Sequence, residues 1–192
     1  MLVALLASLA SAHGPHHGPH ARPQDDFAAT ASACSAAFYN SADRQACMSS
    51  GAPPATIQAC GAAFYNSRDT LACAQTFAAP EVVSVCGRAF YNGADTLQCI
   101  GTARRTDTVT LCSQAFYNGR DTLQCIATAR RPDTIPACSQ AFYNGSDTLQ
   151  CVATAAPPEV VSTCSRSFYN SRDTLQCVAD YRPAPRRPHR TW

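Results

Sequence analysis

Residues 121–145 read DTLQCIATARRPDTIPACSQAFYNG, and this stretch recurs with small changes along the 192-residue chain. Phe-Tyr-Asn stands at 38–40, 64–66, 90–92, 116–118, 142–144 and 168–170. Aspartate follows at 43, 69, 95, 121, 147 and 173, so the period is 26 residues throughout. A period of about 20 to 50 residues marks a solenoid or array, because a unit that small cannot bury its own apolar face and must stack on its neighbours.

The cysteines keep the same ruler. Cys34, Cys47, Cys60, Cys73, Cys86, Cys99, Cys112, Cys125, Cys138, Cys151, Cys164 and Cys177 are spaced by 13 at every interval. An even count at fixed spacing reads as a disulfide framework formed in an oxidising compartment. Structural zinc wants two ligands within a few residues, and neither that pattern nor a C-x-x-C redox pair occurs. Cys112 and Cys125 lie symmetrically about the Asn118–Gly119 turn, whereas Cys125 and Cys138 lie symmetrically about Arg131–Pro132. The first scheme pairs all twelve; the second strands Cys34 and Cys177. The first is therefore chosen, Cys34–Cys47 through Cys164–Cys177.

Each unit holds two helix-like stretches. Ile135, Cys138 and Phe142 form one stripe of a helix, and Ile57, Val83, Val109 and Val161 occupy the Ile135 column elsewhere. The stretch ends at Phe-Tyr-Asn, where Asn before Gly or Ser suits a left-handed turn. Asp121 suits the N-cap of the second helix, with Gln124 completing a variant capping box. Leu123, Ile126 and Ala127 then make one apolar face, with Cys125 and Ala129 further round. Pro54, Pro80, Pro132 and Pro158 open successive units. Asn-Gly is also a hairpin signal, but its flanks do not alternate apolar and polar residues, which excludes strands. The expected fold is all-α: a right-handed αα-hairpin solenoid of six 26-residue repeats over residues 26–181, with one disulfide per repeat. The end units depart as caps should, with Gln45 in the leucine column and Ala31 in the valine column.

This architecture is similar in kind to helical-hairpin solenoids such as the tetratricopeptide and Sel1-like repeat proteins. Its period is shorter than theirs and their Trp/Leu/Gly/Tyr signature positions are missing, so the likeness implies no ligand or site.

Residues 1–12, MLVALLASLASA, form an apolar run ending in a small-x-small pattern, as a cleaved secretory signal does, and are too short to span a bilayer. No other segment is apolar enough to be transmembrane, so the expected location is secreted or periplasmic. Residues 13–25 are read as a His/Pro-rich linker and residues 182–192 as a basic, Pro/Arg-rich tail. All 15 basic residues are arginine, and Arg182, Arg186, Arg187 and Arg190 lie in the tail, which carries no acid. The remainder holds 11 arginines against 13 acids, so nucleic acid or an anionic surface would have to engage the tail.

Catalysis is not expected. Active sites are built once from different residue types, whereas each notable residue here appears six times in one local context. No histidine lies between residues 21 and 188 to act as a base, and no G-x-S-x-G or phosphate-binding glycine loop occurs. No cofactor is implied. The candidate binding residues are a ladder of Tyr65, Tyr91, Tyr117, Tyr143 and Tyr169 with Asn92, Asn118 and Asn144 beside it. Amphipathic rings and amides in a row suit a protein or polysaccharide; the bland alternative has the rings closing the core and the asparagines ending helices. A second candidate is a metal site at His13, His16, His17 and His20, since short histidine tracts bind copper, nickel or zinc. The sequon at Asn144-Gly145-Ser146 occurs in one repeat and is incidental. The leading expectation is a secreted, non-enzymatic binding or structural scaffold; the alternatives are an extracytoplasmic metal-binding protein and an envelope component linked by disulfides between chains.

Overall fold

The structure, a computed structural model, describes residues 23–181, with side-chain surroundings from Asp26 onward. Among the described residues there are twelve helices and no strand. The odd-numbered helices are α1 (Pro23–Ala37), α3 (Pro54–Ala63), α5 (Pro80–Ala89), α7 (Thr106–Ala115), α9 (Thr134–Ala141) and α11 (Pro158–Ser167). The even-numbered ones are α2 (Ser41–Ser50), α4 (Ser67–Ala74), α6 (Gly93–Thr102), α8 (Gly119–Thr128), α10 (Gly145–Thr154) and α12 (Ser171–Asp180). Each odd helix pairs with the even helix that follows it, and like helices stack on like along the array. The result is a two-layer αα-hairpin solenoid of six repeats. Helix α1 starts at Pro23, three residues inside the segment read as linker.

One disulfide closes each hairpin: Cys34–Cys47, Cys60–Cys73, Cys86–Cys99, Cys112–Cys125, Cys138–Cys151 and Cys164–Cys177. The pairing is the one that symmetry about the Asn-Gly hinge predicts, and no cysteine is left free. The paired Cα atoms lie 5.7 to 5.8 Å apart, within the ordinary range for a bridge. Eleven of the twelve cysteines are buried and Cys177 is half-buried, so the bridges run through the middle of the core rather than over its surface. Around them lie the expected column of Ile57, Val83, Val109, Ile135 and Val161, all fully buried.

Two features of the helix starts differ from expectation. Asp121 is not the N-cap. Asn118 is, and Gly119 and Arg120 are already helical, so Asp121 is the third residue of α8. Asn118 Oδ1 accepts the Asp121 backbone N–H at 2.9 Å, and Asn118 Nδ2 donates to Asp121 Oδ2 at 2.8 Å. The same reciprocal pair joins Asn40–Asp43, Asn66–Asp69, Asn92–Asp95, Asn144–Asp147 and Asn170–Asp173. Asparagine wins because its amide can both cap an orphan N–H and hold the aspartate, which a cap at Asp121 would leave unused. Gln124 accordingly falls past the first turn, exposed, and makes no capping box. Nor are the asparagines left-handed: Asn118 has φ −118° and ψ 146°, an extended conformation that any residue adopts. Replacing Asn118 with Ala should cost about 1 kcal/mol of stability through the lost cap; equilibrium urea unfolding of the variant checks it.

Ala127 is exposed, so the buried face of α8 is Thr122, Leu123, Cys125 and Ile126. The threonine reads as polar in sequence, yet Thr122 Oγ1 donates to the Asn118 carbonyl at 2.9 Å and its methyl faces the core. Thr70, Thr96, Thr148 and Thr174 repeat the arrangement. A second set of threonines ties repeats together: Thr56 Oγ1 donates to the Ala78 carbonyl at 3.1 Å and Thr134 Oγ1 to the Ala156 carbonyl at 2.7 Å. Among the described residues no buried side-chain polar atom lacks a partner.

Pro54, Pro80 and Pro158 begin helices, as expected for a residue whose missing N–H is an orphan there anyway. Pro132 does not; α9 begins two residues later at Thr134. The turns between repeats come in two kinds. Three contain a residue of positive φ (Gly51, Phe77 and Ala155). The other two carry an arginine that grips an aspartate two residues on, Arg105–Asp107 and Arg131–Asp133. Those hydrogen bonds hold both carboxyls below the usual carboxylate range. In the odd layer Gly87 meets Ala63 so closely that a Cβ on the glycine would lie 2.9 Å from the alanine Cβ. The early repeats therefore pack with minimal separation.

Candidate functional site

Each hairpin hinge is Phe-Tyr-Asn, with the phenylalanine and asparagine backbones extended and the chain bending at the tyrosine and asparagine. In the first five hairpins the phenylalanine is buried, in the last Phe168 is 41% exposed, and the tyrosine points away from the core in all six. Phe38, Phe64, Phe90, Phe116 and Phe142 are 1% to 7% exposed, while Tyr39, Tyr65, Tyr91, Tyr117, Tyr143 and Tyr169 are 99% to 110% exposed. The rings do not close the core; the phenylalanines do. Six tyrosines thus stand in a row along one edge, at a spacing set by helix stacking of about 8–10 Å per repeat. Tyr39 belongs to this row as much as the other five, although the sequence reading left it out.

Between neighbouring rings lie grooves. One, of about 300 Å³, is lined by Tyr117, Asn118 and Asp121 from one repeat and Phe142, Tyr143 and Asn144 from the next. A second, of about 320 Å³, has Tyr91, Asn92 and Asp95 facing Tyr117 and Asn118, with Arg88 at its margin. Each asparagine spends one amide hydrogen on its aspartate and keeps another free, and each aspartate keeps an oxygen free. The grooves therefore offer an aromatic wall, an N–H donor and a carboxylate acceptor, repeated in register. Such a surface can hold an extended chain by stacking and hydrogen bonding.

The aspartates and the phenylalanine floors were not named as site residues from sequence, because capping and core packing account for them individually. Only the hinge brings them beside the tyrosines. Asn92, Asn118 and Asn144 do not end the first helix of the hairpin, whose C-cap is the phenylalanine; each caps the start of the second and lines a groove. Arginine also follows a two-repeat rhythm next to this edge, at Arg68, Arg120 and Arg172, with Ala42, Ala94 and Ser146 in the intervening repeats. His13, His16, His17 and His20, like residues 1–12 and 182–192, lie outside the described residues. Among the described residues no helix is long and apolar enough to cross a membrane. The bridges require an oxidising environment for their formation. Compared with protein-family models, curated proteins and solved structures, the chain matches none.

Proposed function

We propose that this protein is a secreted, non-enzymatic binding scaffold that holds an extended partner, a protein segment or a polysaccharide, along its tyrosine edge. The observation that carries this reading is the full exposure of six in-register tyrosines. Large aromatic rings cost solvation free energy when left bare, and a row of them rimmed by amides is the composition of a recognition surface. Export is supported by the small-x-small run at residues 1–12 together with six disulfides. All twelve cysteines are paired within hairpins, so no thiol remains for bridges between chains, which favours binding over a cross-linked envelope role.

The test is a screen of the oxidised protein against glycan arrays and defined peptide panels, beside a Tyr91→Ser/Tyr117→Ser/Tyr143→Ser variant. Ligands of the wild type should bind the variant at least tenfold more weakly, with unchanged helical circular dichroism. Binding that survives the triple substitution, or no ligand across broad panels, contradicts the reading.

A further inference from the structure

We propose that the grooves at Tyr117–Tyr143 and Tyr91–Tyr117 receive a proline-rich segment in the polyproline II conformation, and that residues 182–190 of a second copy of this chain supply it. The proposal rests on reading the tyrosine edge as a binding surface and names its occupant.

Periodicity selects the backbone. A polyproline II helix has three residues per turn and rises 3.1 Å per residue, so the same face returns every ~9.3 Å. That matches the roughly 8–10 Å between stacked helices, and successive turns would meet successive grooves. A β-strand also advances about 10 Å in three residues, but three is odd and the face it presents is reversed. An α-helix is about 10–12 Å wide with its side chains and repeats its face every 5.4 Å, too wide and out of step. The chemistry agrees. Polyproline II makes no internal hydrogen bonds, so its carbonyls are open to the free amide hydrogens of Asn118 and Asn144. Pyrrolidine rings pack between aromatic side chains, the mode by which aromatic-lined grooves take proline-rich segments.

The chain carries a segment of this kind. Residues 182–190 read RPAPRRPHR, with Pro185 and Pro188 three residues apart and Arg186 and Arg187 between them. Pro185 and Pro188 would share one face and sit in neighbouring grooves. The Tyr117–Tyr143 groove has Asp121 and no cation in its lining, which complements the intervening arginines, whereas in the Tyr91–Tyr117 groove Asp95 is offset by Arg88.

A protein's own tail falls short. Helix α12 begins at the tyrosine edge and runs ten residues, about 15 Å, to the opposite edge, where the tail starts. From Tyr181 to Pro185 the chain spans at most about 14 Å when fully extended. The Tyr117–Tyr143 groove lies across the ~15 Å layer and a further repeat and a half along the stack, roughly 20 Å away and out of reach. The donor is therefore another copy, in a head-to-tail contact that is heterologous and extends into chains or rings.

The experiment titrates a dye-labelled peptide of residues 182–192 into the full-length oxidised protein, with fluorescence anisotropy as the readout. Saturable binding is expected. It should weaken at least tenfold when Pro183, Pro185 and Pro188 of the peptide become alanine, and equally when the protein carries Tyr117→Ser and Tyr143→Ser. Sedimentation of the full chain should show mass rising with concentration, and Pro185→Ala/Pro188→Ala should abolish the rise. Equal binding by the alanine peptide would reduce the contact to charge and overturn the proposal, as would undiminished binding to the tyrosine variant. A silent peptide alongside a tyrosine-dependent glycan overturns this proposal and leaves the binding edge standing. Silence of every probe on that edge removes both.

Discussion

Complete reduction of the six disulfides should unfold this protein at 25 °C and neutral pH, with loss of its helical circular dichroism. The expectation follows from how little each repeat can do alone. Eleven of the twelve helices have only eight to ten residues, a length marginal in water, and each hairpin's core is completed by neighbours that are equally dependent. A bridge closing a loop of this length contributes about 3 kcal/mol by restricting the unfolded chain. Six such bridges sum to about 18 kcal/mol, more than the 5–15 kcal/mol that separates folded from unfolded in ordinary domains. Far-ultraviolet circular dichroism before and after reduction under alkylating conditions checks it. Removing one central bridge, as in Cys112→Ala/Cys125→Ala, which buries no hydroxyl, should cost at least about 3 kcal/mol.

Adjacent residues in the hinge should behave in opposite ways. Phe116→Ala should destabilise the protein by about 3–5 kcal/mol, because the ring is 6% exposed and its removal leaves a cavity between two repeats. Tyr117→Ala should change stability by less than about 0.5 kcal/mol, since a fully exposed side chain away from any cap or core has little to lose. Equilibrium unfolding in urea distinguishes them. Two aromatic neighbours with effects this different would establish that the tyrosines are not held for packing. Equal destabilisation by both would mean that the rings are buried after all, and the binding edge would lose its foundation.

Much of the fold is legible in the sequence because its causes repeat. Cysteines 13 apart about a hinge can pair in only two ways, and one of those leaves ends unpaired. The Ile57-to-Val161 column shows its helical phase in five of the six units. The helix starts are harder. Asn and Asp both favour N-caps, and they stand three residues apart, so either begins a plausible helix. The choice depends on a side-chain pair, Asn118 Nδ2 to Asp121 Oδ2, that composition does not display. Ala127 shares a face with Leu123 by its i+4 spacing, but the buried stripe is centred on Thr122, Cys125 and Ile126, which leaves Ala127 outside it. The site was only half legible for a related reason. Phe-Tyr-Asn read as the end of a helix puts both aromatics on one curved surface. The bent hinge separates them, Phe116 inward and Tyr117 outward. Thr122 looked polar and is core because its hydroxyl has a local carbonyl to bond.

The measurement that tests the account most directly is disulfide mapping of the mature, unreduced protein by proteolysis and mass spectrometry. Six links are expected, each joining cysteines 13 apart across a Phe-Tyr-Asn hinge, from Cys34–Cys47 to Cys164–Cys177. Links of the Cys47–Cys60 type, or a set of free thiols, would contradict it.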